Sequence, residues 1–110
     1  MDLTQKKCVA CEGIGRAMTL AEARALLKRV PGWTLAAEGV LSIRRDFEFT
    51  DFVHALEFVN KVACLAEGEG HHPDLLIHSW NRVRLTLSTH ALQGLTENDF
   101  IVAAKINALK

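Results

Sequence analysis

Apolar residues recur along the chain with two alternating periods. Leu20, Ala23, Leu26, Leu27 and Val30 fall three or four positions apart, the spacing of one helical face. Thr19 and Glu22 make a TLAE capping box in which each side chain takes the other's backbone amide, and Pro31 with Gly32 stops the run. The period then falls to two. Trp33 to Ala36 and Val40 to Phe49 flank a turn at Ala37, Glu38 and Gly39. In the second arm Leu41, Ile43, Phe47 and Phe49 share a side with Arg45, while Ser42, Arg44, Asp46 and Glu48 take the other. Thr50 or Asp51 caps a second helix, with an expected buried stripe of Phe52, Ala55, Leu56, Val59 and Ala63, which weakens at Gly68 and Gly70. Period two returns at Leu75 to Ser79 and Val83 to Thr89, joined through Trp80, Asn81 and Arg82. Thr96 and Asp99 cap a last helix, with Leu95 stapled onto Phe100 and an apolar side of Ile101, Ala104, Ile106, Ala108 and Leu109.

The predicted order is α-β-β-α-β-β-α. Hairpin connections favour antiparallel pairing, so the expected fold is α+β: a four-stranded antiparallel sheet with three helices packed on one face. The strand-strand-helix unit occurs twice, which points to an internal structural duplication. The uncovered sheet face suits a subunit interface. At 110 residues the expectation is one domain over 1–110, with 1–18 as an irregular N-terminal arm.

Charge narrows the partners. Lys plus Arg equals Asp plus Glu at 13 each, so no excess of positive charge is present to bind a nucleic acid backbone. No apolar run is long enough for a membrane span, and the opening MDLTQKKCVACEG lacks the apolar core of a signal peptide, so a cytoplasmic location is expected. Cys8 and Cys11 form a CxxC and Cys64 stands apart; three cysteines make no disulfide framework, and no second ligand pair completes a zinc site. The CxxC is read as incidental or weakly redox-sensitive.

Five histidines carry the candidate chemistry. His54 on a polar helix face and His78 in a strand read as solvated or packed side chains. His71 and His72, in EGEGHHP, lie on a loop between helix and strand, and His90 lies where the last strand ends. A hairpin of strands three and four returns His90 to the neighbourhood of the histidine pair. One use of three imidazoles is a metal site, against which stands the opposite direction of neighbouring side chains on extended backbone. The other is metal-free proton transfer, for which an imidazole needs little adjustment at neutral pH.

The stretch EGEGHHPDLLIHSWNRVRLTLSTHALQGLTEND, with Glu67, His71, His72, Pro73, Trp80, His90 and Asp99 at its spaced positions, closely resembles the signature of the pterin-4a-carbinolamine dehydratases. PGW after the first helix, GLTENDF at the last and the N-terminal CVACEG resemble bacterial members. The resemblance implies dehydration of a 4a-hydroxytetrahydropterin to the quinonoid dihydropterin, in support of tetrahydropterin recycling for an aromatic amino acid hydroxylase, with no cofactor and no metal. It implies His71 and His90 as acid and base in an order left open, with His72 as an orienting group that assists. Glu67, placed by the resemblance among the substrate-binding residues, is either a residue that tunes an imidazole or a solvated helix-end carboxylate. Pro73, Thr89 and Ala91 are implied pterin contacts. Trp80 is a stacking partner or a core aromatic, and Asp99 is read as a helix cap without a catalytic part. The family implies a homodimer or homotetramer. Its animal members also serve as a dimerisation cofactor for a homeodomain transcription factor, so a non-catalytic protein-binding module is the alternative.

Overall fold

The computed structural model describes residues 2–10 and 13–109; Cys11 of the CxxC lies outside them. Helices α1 (Leu20–Leu27), α2 (Phe52–Glu69) and α3 (Glu97–Asn107) alternate with strands β1 (Thr34–Ala36), β2 (Ser42–Glu48), β3 (Asp74–His78) and β4 (Arg82–Leu87) in the expected order. All pairs are antiparallel and the sheet runs β1-β2-β4-β3, so the two hairpins join along their second strands. Strand ends fall within one or two residues of the expected limits. The second hairpin turns on Ser79, Trp80 and Asn81, because His78 pairs with Arg82.

Alternation sorts the sheet into two faces. Val83, Leu85 and Leu87 of β4 and Ile43 of β2 are fully buried under the helices. On the open face Arg84 grips Asp46 across the strands through two bonds of 2.8 and 3.3 Å. Arg45, in phase with the apolar residues, lies on the covered side. Its guanidinium sits 4.6 Å from the Phe47 ring centre and donates to Asn107 Oδ1 at 2.6 Å, beside the Trp33 indole N–H at 2.8 Å. Gly32 lies there at φ 90°, a backbone conformation that strains any residue with a side chain, and a Cβ would also press on the Arg45 guanidinium.

Two helices differ from their sequence patterns. On α2 the buried residues are Ala55, Val62 and Ala66, whereas Phe52, Leu56 and Ala63 of the expected stripe are exposed. That helix is apolar on two neighbouring faces and only one can lie on the sheet. Phe58, 4.6 Å from Phe47 and 5.1 Å from Phe49 between ring centres, is on the face turned inward. On α3, expected to be apolar on one side, every residue from Asn98 to Ala104 is buried. The reason is the N-terminal arm: Leu3–Gln5 forms a 3-10 turn packed on α3, with Leu3 in the core. Among the described residues no helix is long and apolar enough to cross a membrane.

Candidate active site

His71 is positioned by the way α2 stops. Gly70 enters the left-handed region at φ 67°, a conformation that strains other residues, and its N–H turns back to Glu67 O. The His71 N–H reaches Ala66 O at 3.2 Å, completing a Schellman closure that carries the histidine inward. Its ring is buried, and Nε2 lies 2.7 Å from Asp99 Oδ1.

Asp99 is the hub of the site. Completely buried in the first turn of α3, it accepts the Thr96 N–H and the Thr89 hydroxyl on Oδ2, each at 2.9 Å. A carboxylate can only accept, and with Oδ2 taken by two donors Oδ1 is the oxygen left to accept from His71 Nε2, so the shared proton is placed on that nitrogen. Nδ1 is then the nitrogen available for exchange. The sequence reading of Asp99 as a cap describes one oxygen; the other holds a histidine. Its signal was its place among the spaced signature positions, with a capping role that accounted for it too easily.

The remaining candidates gather at the same end of the sheet. Asp74 pairs with Thr86, so residues 71–73 enter and residues 88–90 leave β3 and β4 side by side. Thr89 pairs with Gly94 across a short loop in which His90–Leu92 makes a 3-10 turn and Gln93 is left-handed. His90 is exposed at the root of this loop, and Ala91 is exposed beside it. The Thr89 hydroxyl, N–H and C=O are all engaged within the protein, which makes it an anchor joining the His90 loop to Asp99. His72 Nε2 lies 2.7 Å from Glu67 Oε1, with both side chains largely in solvent. These two line an open, mostly apolar groove of about 620 Å³ with Ala63, Cys64, Gly68 and Leu75. His71 and His90 are not among its lining residues, and Pro73 is half-buried between His72 and β3.

Other histidines stand apart. His54 pairs with Asp51 at the start of α2, where the hydrogen bond it donates to that carboxylate raises its pKa, and His78 touches Ser79 in the distal hairpin. Trp80 occupies that distal turn, exposed and left-handed at φ 56°, at the end of β3 opposite His71 and His72. Among the described residues no three His, Cys, Asp or Glu side chains cluster as metal ligands.

The model of the family described as "Pterin 4 alpha carbinolamine dehydratase" matches residues 16–109. The chain belongs to that family. Arabidopsis thaliana pterin-4-alpha-carbinolamine dehydratase 2, mitochondrial, is 50% identical over 99% of this chain, which spans 59% of the plant protein. A Halorhodospira halophila protein, provisionally named for the same activity, is 44% identical over 99% of the chain and 98% of its own length. A crystal structure described as a transcriptional coactivator/pterin dehydratase from Brucella melitensis superposes with a TM-score of 0.77 at 36% identity, covering 84% of this chain and 97% of that one. These likenesses make the chain a pterin carbinolamine dehydratase by family, a lyase acting on a pterin.

Proposed function

We propose that this dehydratase removes water from a 4a-hydroxytetrahydropterin by imidazole acid-base catalysis, with His71 and His90 sharing the two proton transfers. The observation that carries this reading is the buried His71–Asp99 pair at 2.7 Å, which fixes one imidazole with a single nitrogen left to work. In the reaction the C4a–O bond breaks and a proton joins the departing hydroxyl to form water. The N5–H proton goes to a base and its electron pair forms the N5=C4a double bond. One imidazole gives a proton as the other takes one, so the total charge of the site is unchanged. His72, held by Glu67, orients the pterin. Pro73 and Ala91 shape its seat, and Thr89 holds the His90 loop in register.

The same reading gives one domain over residues 1–110, a cytoplasmic location and a role in recycling tetrahydropterin for an aromatic amino acid hydroxylase. Self-association into a homodimer or homotetramer accounts for the uncovered apolar face of α2, where Phe52, Val53 and Leu56 are 48%, 60% and 37% exposed. The coactivator wording attached to the Brucella structure favours a second reading, in which this face also receives a partner protein. Stopped-flow decay of the carbinolamine's ultraviolet absorbance tests the first. His71→Ala and His90→Ala should each remove most of the acceleration; wild-type rates in both would reject the assigned roles. Variants without activity that still bind a partner would support the second.

A further inference from the structure

The N-terminal arm precedes the stretch matched by the family model, yet it is bonded to both elements that carry the His71–Asp99 pair. On α3, the Asn98 side chain forms a two-bond clasp with Val9: its Oδ1 accepts the Val9 N–H at 3.0 Å and its Nδ2 donates to Val9 O at 2.7 Å. The Cys8 thiol points at Asn98 O, 3.6 Å away. On α2, the Cys8 N–H donates to Glu69 Oε1 at 2.9 Å, and the other oxygen of that carboxylate takes the Lys105 ammonium at 2.6 Å. Asn98 is 2% exposed and the Glu69 side chain 8%, so neither has water as a ready substitute for these partners. Glu69 lies two residues before His71, and Asn98 one residue before Asp99. The arm thus spans the two helix ends whose separation sets the imidazole–carboxylate bond.

We propose that Cys8 and Val9 of the arm form a strap that positions the His71–Asp99 pair, with Asn98 and Glu69 as the positioning residues through which it acts. The argument rests on the reading of His71 as catalytic. A hydrogen bond of 2.7 Å tolerates little relative movement of its two supports, and a displacement of about 1 Å at a reacting group costs on the order of 10²-fold in rate. A strap held by buried polar bonds adds directional constraints against that displacement to those of apolar packing.

The test uses the full chain. Asn98→Ala removes the clasp from the helix side, and Val9→Pro removes one of its donors from the arm side without touching α3. Lys6→Ala, which cuts the half-exposed Lys6–Glu97 pair, is the control for an arm contact that meets neither positioning residue. For each, kcat and KM are measured together with thermal stability and the solvent exchange of the His71 Nε2–H in a nitrogen-15 spectrum. Asn98→Ala and Val9→Pro should lower kcat about tenfold with KM within about twofold, and speed exchange of that proton. Lys6→Ala should change neither. Normal kcat and exchange in the folded variants would overturn the proposal, as would an equal loss in Lys6→Ala. If Asn98→Ala fails to fold, Val9→Pro decides alone. His71→Ala run beside them separates the two ideas: its full activity would sink the catalytic reading, while the exchange rate still reports whether the strap holds the ring.

Discussion

Replacing Asp99 by asparagine changes one atom and one charge and keeps the side chain's shape. The Thr96 N–H and Thr89 hydroxyl, both 2.9 Å from Oδ2, hold the amide oxygen on their side, so the new NH₂ group faces His71. One charge-assisted bond of 2.7 Å is lost, a cost of about 1.5–3 kcal/mol in stability. The chemical effect is larger. An NH₂ donor against Nε2 demands a lone pair there, so the ring proton moves to Nδ1, the nitrogen that must exchange protons with substrate. Removing a positioned acid-base group costs about 10²–10⁴-fold, and kcat should fall within that range. KM should change by less than about threefold, because Asp99 is fully buried and acts through another side chain. Stopped-flow absorbance gives the rate and urea unfolding gives the stability. If stability drops as stated while kcat stays within about threefold of wild type, Asp99 is only a cap and the reasoning fails.

Other outcomes follow from single side chains. Burial raises the Glu69 pKa, but Lys105 and the Cys8 N–H outweigh it and leave the carboxyl below its ordinary value. A group depressed on folding stabilises above its unfolded pKa of about 4.3 and loses that contribution as pH falls through the folded value. Glu69→Gln should therefore be less stable than wild type at pH 7, with the gap closing below about pH 4; a constant gap down to pH 3 contradicts this. Burial, followed by the nearby Glu69 charge, pushes the Cys8 thiol up to about 12, so iodoacetamide at pH 8 should label exposed Cys64 well before Cys8 in the folded protein. Equal labelling rates, read by mass spectrometry, would oppose it. Trp80→Gly relieves a left-handed side chain worth about 1–2 kcal/mol, partly offset by the glycine's freedom in the unfolded chain. It should leave kcat/KM within about twofold, and a tenfold loss would bring Trp80 into the substrate site.

The elements were legible because periodicity, caps and breakers agreed. Thr19 and Glu22 bond reciprocally at 3.2 and 2.9 Å, and Gly70 ends α2 one residue before the first candidate histidine. Which face of a helix turns inward was less legible. On α2 the choice came from Phe58 meeting Phe47 of β2 and Phe49 just after it, and on α3 from an arm some ninety residues away in sequence, as in the Lys6–Glu97 pair. Local pattern contains neither fact. At the site, the register of β3 and β4 brought the segments of His71 and His90 to one end of the sheet, as a hairpin dictates. Asp99 was undervalued because a carboxylate has two oxygens and the cap explains only one. Trp80, already counted within the connecting turn, is exposed there in a left-handed conformation, which overturns its reading as a core aromatic.

His71→Ala with and without free imidazole tests the central claim most directly. The variant should lose about 10²–10⁴-fold in the rate of carbinolamine dehydration, and imidazole added to the buffer should restore part of that loss in proportion to its concentration. A variant as fast as wild type, or an inactive one that added imidazole leaves unchanged while its fold is intact, would contradict proton transfer by that ring.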